Sequence, residues 1–367
     1  MAKLELRNLN KTYSPKVVPV KDISLTVNDG EFLTLLGPSG CGKSTTLRAI
    51  AGLEQVTRGQ IILGGEDITY KRPGDRNMAM VFQSYALYPH MTVYENLACG
   101  LKLKKVPRLE IKQRVAQVAE ILGLGELLQR KPGQLSGGQR QRVAVGRALV
   151  RQAQVYLLDE PLSNLDALLR EKVRAEIKQI FATQKSPVVY VTHDQTEAMT
   201  LSTKVAVLNN GYVQQIAPPA SIYHEPGNLF VAGFVGSPQM NLLTINCKQN
   251  HAILGNFSIP LPKLPTIPSQ IVLGIRPEHV RVAQTGEVHP TVKGRVCLVE
   301  NLGMHNLVSV SVQGSQSNNS PVLRALLPAD QNWSWEEITL ALPHQNIHWF
   351  DVSSGDALSR KTSNCSD

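Results

Sequence analysis

The sequence predicts an α/β domain on a mostly parallel sheet, followed by a smaller β-rich domain. Three observations predict it. Short apolar runs that stop at a turn or a polar residue alternate with helical periods through residues 1–235, the signature of a parallel sheet with crossover helices. From about Gly236 the texture changes to short alternating segments with few helical periods. A length of 367 residues suits about two domains.

The runs are Phe32 to Leu36 before Gly37, Ala79 to Phe82 before Gln83, Val155 to Leu158 before Asp159, and Val188 to Val191 before His193. Ligands of open α/β sheets gather at the carboxyl ends of the strands, so these endings mark where a site is expected. Between them, Arg108 to Leu122 reads as a helix with apolar residues at Leu109, Val115, Val118, Ala119 and Leu122. The β-rich domain is expected over residues 236–352. Its prolines cluster at Pro260, Pro262, Pro265 and Pro268, and Val308, Val310 and Val312 alternate with polar residues as a half-buried strand does. Residues 313–320 read as a polar loop and 353–367 as an unstructured tail.

Composition excludes some classes. Hydrophobic residues make up 42% and charged residues 18%, in the globular range. The sequence has no apolar run of the ~18 residues that would suggest a membrane helix, and its start lacks the apolar core of a secretory signal. The chain is therefore expected on the cytoplasmic side. Cys41, Cys99, Cys247, Cys297 and Cys365 are scattered without a C-x-x-C pair, which favours free thiols over a disulfide or zinc framework. The net charge of +9 falls entirely in residues 1–235, with 29 Lys and Arg against 20 Asp and Glu, while the remainder balances at 9 and 9. Basic excess of this kind attracts phosphates, nucleic acid or anionic lipid without choosing among them.

Gly37-Pro38-Ser39-Gly40-Cys41-Gly42-Lys43-Ser44-Thr45 fits G-x-x-x-x-G-K-[ST] between a strand and a helix. Its glycines let backbone N–H groups converge on phosphate oxygens, Lys43 neutralises their charge, and Ser44 can ligate magnesium. A nucleoside triphosphate is the expected ligand. Cys41 lies among these dipoles beside Lys43, conditions that lower a thiol pKa, so it is expected to be reactive.

Ser136-Gly137-Gly138-Gln139 opens a second helical pattern, a serine cap followed by small residues that present N–H groups to an anion. It has no lysine of its own and is expected to complete a site whose cradle lies elsewhere. Further on, Val155 to Leu158 ends in Asp159 and Glu160. The first carboxylate is expected to hold magnesium and the second to orient or deprotonate the attacking water.

The segments GPSGCGKST, LSGGQ, VYLLDE, SNLD (Ser163 to Asp166) and VTHD (Val191 to Asp194) resemble the ATP-binding subunits of ABC transporters. Those at Val81 to Leu97, Glu197 to Leu201, Phe230 to Leu243 and Gly274 to Val280 are similar to the maltose and glycerol-phosphate type of importer ATPase. The resemblance covers nearly the whole chain. It implies a P-loop ATPase domain with a RecA-like core and a helical subdomain, then an OB-like regulatory domain. It implies ATP and Mg2+ as cofactors, sandwiched in a head-to-tail homodimer between one chain's lysine loop and the other's LSGGQ. Tyr13 matches the adenine-stacking aromatic. Gln83 matches the residue contacting magnesium and the attacking water. Ser136 and Gly138 match the contacts made to the other chain's nucleotide, Asp166 the dimer-spanning loop, and His193 the switch on the γ-phosphate. Two integral-membrane permease subunits, docking around Ser84 to Pro89, and through them a solute-binding protein are the implied partners. The implied place is the cytoplasmic face of the inner membrane. Nucleic acid is not an expected partner, because the second domain has no basic excess. The expected function is an ATPase driving import of a carbohydrate or polyol derivative. An importer for polyamine, iron or sulfate and a soluble ABC-type ATPase acting on nucleic acid stand as alternatives.

Overall fold

The computed structural model describes residues 3–254, 257–312, 321–333 and 337–358. Contacts divide the chain into two units, Met1–Pro219 and Ala220–Asp367. The first unit contains, in order, β1 (Leu4–Lys11), β2 (Val20–Val27), β3 (Phe32–Leu36), α1 (Lys43–Ala51), β4 (Arg58–Leu63), β5 (Glu66–Asp67) and β6 (Met78–Val81). It continues with α2 (Val93–Leu103), α3 (Arg108–Ile121), α4 (Gly137–Leu149), β7 (Val155–Asp159), α5 (Ala167–Ala182), β8 (Val188–Thr192), α6 (Gln195–Leu201), β9 (Lys204–Asn209) and β10 (Tyr212–Ala217).

Six strands form the central sheet in the order β10-β9-β3-β8-β7-β6. All neighbours are parallel except β10, which runs antiparallel to β9. Every residue of β3, β7 and β8 is buried, which is why these strands read as unbroken apolar runs. Successive side chains of a strand point to opposite faces, and here they feed two separate cores. Phe32, Tyr156, Leu158, Val188 and Tyr190 join the core built from α2, α3, α4 and α5. Leu33, Leu35, Val155, Leu157, Val189 and Val191 join the core under α1 and the antiparallel sheet β2-β1-β4-β5.

Helix α3 differs from its expected pattern in one residue. Leu109 is 71% exposed, while Ile111, Val115, Val118 and Ala119 are buried. Leu109 precedes Ile111 by two positions, a spacing that places it off the Ile111–Val115–Val118 stripe.

The second unit begins with α7 (Pro219–His224) and α8 (Leu229–Phe234). Ten strands follow: β11 (Asn241–Lys248), β12 (His251–Leu254), β13 (Phe257–Pro260), β14 (Gln270–Ile275), β15 (Arg281–Val282), β16 (Thr291–Asn301), β17 (His305–Val312), β18 (Val322–Pro328), β19 (Glu337–Ala341) and β20 (His348–Asp351). Two five-stranded antiparallel sheets, β13-β12-β11-β14-β20 and β15-β19-β16-β17-β18, enclose one core. The proline cluster connects β13 to β14. Strand β17 pairs on both sides, with β16 and β18, so Ser309 is buried along with Val308 and Val310.

Contacts group the chain from Ala220 with this unit, in which Arg276 ties the two helices to the strands. Its guanidinium, 2% exposed, donates to Tyr223 O (3.1 Å) and Val235 O (2.8 Å) and stacks 3.5 Å from the Tyr223 ring centroid. Gly236, at φ +119°, makes room for it, since a Cβ there would meet Nη1 at 2.5 Å. Of the expected tail, residues 353–358 fold back, with Asp356 bridging Asn228 and Ala357 bridging Phe350. The polar loop 313–320 and residues 359–367 of the tail lie outside the described residues.

The C-terminal end of α1 depends on a buried charge. Gly52 closes the helix at φ +79°, and Arg76, 3% exposed, donates to Ala49 O (2.9 Å), Ile50 O (2.8 Å), Thr69 O (2.7 Å) and Lys71 O (3.0 Å). Arg76→Ala strands buried carbonyls, and urea unfolding of the full chain is expected to show the first unit destabilised by about 3 kcal/mol.

Candidate functional site

The site lies at the carboxyl ends of β3, β6, β7 and β8. The loop from Gly37 to Gly42 turns directly off β3 into α1. Gly40 and Gly42 take φ +79° and +101°, the region open to glycine, and a Cβ on Gly42 would overlap Pro19 O. Pro19 ends the surface segment that carries Tyr13, which is 53% exposed with Lys11 Nζ 4.7 Å from its ring. Inside the loop, Lys43 is 5% exposed and its ammonium donates to Gly37 O and Pro38 O, both at 2.9 Å. Ser39 and Gly40 are exposed on the turn, and Ser44 and Thr45 are half-buried in the first turn of α1.

Cys41 departs from expectation. It is 3% exposed and packs in the core under α1. Burial pushes its thiol up, outweighing Lys43, whose nitrogen is 3.9 Å from the sulfur. Desolvation of the thiolate beats the nearby charge, and the buried thiol fills the inside of the turn.

Ser44 Oγ donates to Asp159 Oδ1 at 2.9 Å, and Arg48 Nη2 lies 3.8 Å from Asp159 Oδ2. Burial raises the pKa of Asp159 despite both partners. A hydroxyl and a carboxylate side by side are the hard oxygen donors magnesium takes, so this pair fits the metal. Gln83 Nε2 donates to Ser163 Oγ (3.2 Å) and Glu160 Oε2 (3.4 Å), and neither bond uses its amide oxygen, the atom a magnesium would take.

Glu160 sits just beyond β7 in a left-handed conformation, φ +42°, with its N–H held by Val191 O at 3.0 Å. His193 Nδ1 approaches Glu160 Oε2 to 3.3 Å. The fold thus brings Gln83, Glu160 and His193, from three strand ends, around one carboxylate oxygen. Asn164 went unnoticed in the sequence; its Nδ2 donates to Gln83 O at 2.8 Å and fixes that backbone. An asparagine in a loop carries no signal of such a long-range bond.

Ser136, Gly137, Gly138 and Gln139 form a separate cluster. Ser136 Oγ accepts from Gln139 N (3.3 Å) while Gln139 Oε1 accepts from Ser136 N (2.9 Å), a reciprocal cap on α4. Gly138 is packed so closely that a Cβ would meet Leu169 at 2.8 Å. Asp166 caps α5 through Leu169 N at 3.0 Å. Helix α1 belongs to one core and α4 to the other, so the two glycine nests are anchored on opposite faces of the sheet.

The segment after Gln83 is held by the helices. Tyr85 and Ala86 are left-handed, φ +63° and +47°, and Arg147 donates to both carbonyls, at 3.0 and 2.7 Å. Asn96, fully buried, receives Tyr88 N at 2.8 Å and donates to Tyr88 O, Met91 O and Thr92 O. Tyr85 is core while Tyr88 is 42% exposed beside a cleft of about 470 Å³ bordered by Ala86, Cys99, Leu103 and Arg147.

A short iodoacetamide pulse on the native chain, read by site-resolved mass spectrometry, is expected to modify exposed Cys297 well ahead of Cys41. Cys41 labelled first would show the loop opening far more readily than its packing implies.

Known families match segments of both units. The ABC transporter family matches residues 20–163, the MalK OB fold domain residues 236–280 and the TOBE domain residues 273–350. The trehalose/maltose import ATP-binding protein MalK of Thermococcus litoralis is 46% identical over 98% of this chain and all of its own. The sn-glycerol-3-phosphate import ATP-binding protein UgpC of Paraburkholderia xenovorans is 46% identical (97% and 99% covered), and the oligosaccharides import protein MsmX of Bacillus subtilis 43% (96% and 98%). Among solved structures, the dimeric post-hydrolysis state of the ATP-binding cassette MJ0796, bound to ADP and Pi, aligns with TM-score 0.52 and 31% identity, covering 59% of this chain and 98% of that one. Likeness of this extent over both units leaves one conclusion: the chain belongs to the ATP-binding subunits of ABC transporters and is an ATPase.

Proposed function

We propose that this chain is the energy-coupling subunit of an importer for a carbohydrate or polyol derivative, and that it works as a head-to-tail pair. The observation that carries the pair is the separation of the two nests onto different cores. The Lys43 loop carries the charge a triphosphate needs, and the Ser136 helix start offers N–H groups without a cation, so each completes a site only with a second copy. The solute class rests on the three relatives, whose names specify trehalose and maltose, oligosaccharides, and glycerol 3-phosphate.

In the proposed mechanism the loop N–H groups and Lys43 hold the β- and γ-phosphates, and Tyr13 stacks on the adenine. Magnesium held by Ser44 and Asp159 would offset charge on the phosphate oxygens. Glu160 orients the attacking water and takes up its proton, with Gln83 and His193 directed at the same carboxylate. Among the described residues no helix is long and apolar enough to cross a membrane, so passage of solute falls to separate permease subunits fed by a solute-binding protein. Their docking place is the cleft beside Tyr88, whose loop leads straight back to Gln83. In this reading the chain is peripheral, on the cytoplasmic face of the membrane.

Glu160→Gln removes the base but keeps the shape. It is expected to bind ATP, to lose about 10²–10⁴ in turnover and to accumulate as a closed dimer on size exclusion. In cells, that variant should abolish uptake of labelled oligosaccharide or glycerol phosphate while polyamine and ferric iron uptake continues; the reverse pattern overturns the carbohydrate assignment. Tyr88→Ala is expected to retain the ATPase activity of the purified chain and to lose its attachment to permease-containing membranes in a flotation assay.

A further inference from the structure

One side chain outside the expected set joins two loops of the site. Arg170, in the first turn of α5, sends Nη2 back to Leu165 O at 3.0 Å. Its Nη1 lies 3.7 Å from Asp194 Oδ2. Leu165 belongs to the segment that leads from β7 to Asp166, and Asp194 follows His193 at the end of β8. Arg170 therefore spans the gap between the segment facing the second copy and the turn that carries His193.

Both ends of that span are themselves fixed. Asp194 uses Oδ1 to cap α6, accepting from Thr196 N (2.7 Å) and Glu197 N (3.1 Å), which leaves Oδ2 for Arg170. The Asp194 N–H donates to Thr192 Oγ1 at 2.9 Å. That hydroxyl donates in turn to Glu197 Oε2 at 2.7 Å, and the same oxygen accepts from Tyr190 OH at 2.8 Å. Glu197 is 3% exposed. His193 is thus flanked by two immobilised residues, Thr192 through Glu197 and Asp194 through α6 and Arg170.

Stability alone does not account for Arg170. Its Nε is closed off from solvent and has no partner among the described residues, and an orphaned buried donor costs stability. The partly open ion pair at 3.7 Å returns little. The same guanidinium borders a cavity of about 30 Å³ shared with Glu160, Ser163, Thr192, His193, Asp194 and Glu197.

We propose that Arg170 is a positioning residue that sets the His193 turn according to the position of the Leu162–Asp166 segment. A shift of that segment when the second copy closes would pull Leu165 O, and Arg170 would carry the shift to Asp194 and so to His193. The proposal rests on the roles of Glu160 and His193 given above.

Steady-state ATPase assays on the full chain test it, comparing wild type, Arg170→Met, Arg170→Lys, Asp194→Asn and the Arg170→Met/Asp194→Asn double variant. Arg170→Met is expected to lower kcat roughly 5–30-fold, the effect of one or two good interactions, with KM for ATP and the thermal midpoint unchanged, because no phosphate contact is removed. Arg170→Lys should not rescue, since one ammonium cannot hold Leu165 O and Asp194 together. The double variant should be no slower than Arg170→Met. Wild-type kcat in Arg170→Met, full rescue by lysine, a double variant slower by the product of both losses, or a kcat loss matched by a fallen midpoint would each overturn the proposal. A wild-type chain without ATPase activity would overturn the mechanism proposed for the site, and this inference with it; an active wild type with an equally active Arg170→Met overturns the inference alone.

Discussion

The complete burial of β3, β7 and β8 is the constraint on which the rest of the first unit depends. A parallel strand covered on both faces must be apolar along its length, and its polar business is confined to its end. Gly37, Glu160 and His193 follow directly from this, each at or just beyond the point where a buried strand runs out. The same burial divides the interior into two cores by the parity of the strand residue. Leu33, Val155, Leu157, Val189 and Val191 hold α1 and its phosphate loop. Phe32, Tyr156, Leu158, Val188 and Tyr190 hold the helices that carry Ser136 and the segment after Gln83. The sheet thus carries the Lys43 loop over one core and the Ser136 helix start over the other.

Competing magnitudes decide the chemistry of the phosphate loop. A unit charge 4 Å away is worth about 4 kcal/mol at an effective dielectric of about 20, and Lys43 stands at that range from Cys41. The cysteine nevertheless shifts upward, because enclosure of the thiol by apolar core desolvates the thiolate by more than Lys43 stabilises it. The same desolvation raises Asp159, although Ser44 and Arg48 oppose it. A carboxylate held short of full solvation gains more from a cation than one already satisfied by water.

The segment from Tyr85 to Thr92 shows how a surface loop is made rigid. Two consecutive non-glycine residues in the left-handed region each cost on the order of 1 kcal/mol or more. Arg147 and Asn96 offset that cost with bonds to the backbone of Tyr85, Ala86, Tyr88, Met91 and Thr92. Every one of these anchors comes from α2 or α4. The loop therefore belongs mechanically to the helices, while Gln83 at its start reaches back to Glu160. The helix-anchored loop is thereby joined through Gln83 to Glu160.

Local signals in the sequence determined the phosphate loop, the Ser136 cap, the acidic strand end and the change of texture near Gly236, because each depends on residues within one turn or strand. Phosphate cradling needs glycines and a lysine at fixed spacing, and buried parallel strands need unbroken apolar runs; both are legible in a line of text. Tertiary structure alone decided what spans the chain. It buried Cys41, so that desolvation outweighs the charge of its neighbour Lys43, and it placed Leu109 outside the helix stripe. It tied α7 and α8 to the strands of the second unit through Arg276. It brought Asn164 to Gln83, Arg147 to Tyr85 and Arg170 to Asp194. Those pairings join residues far apart in sequence through single side-chain bonds, and a lone arginine or asparagine carries no periodicity from which its distant partner could be read.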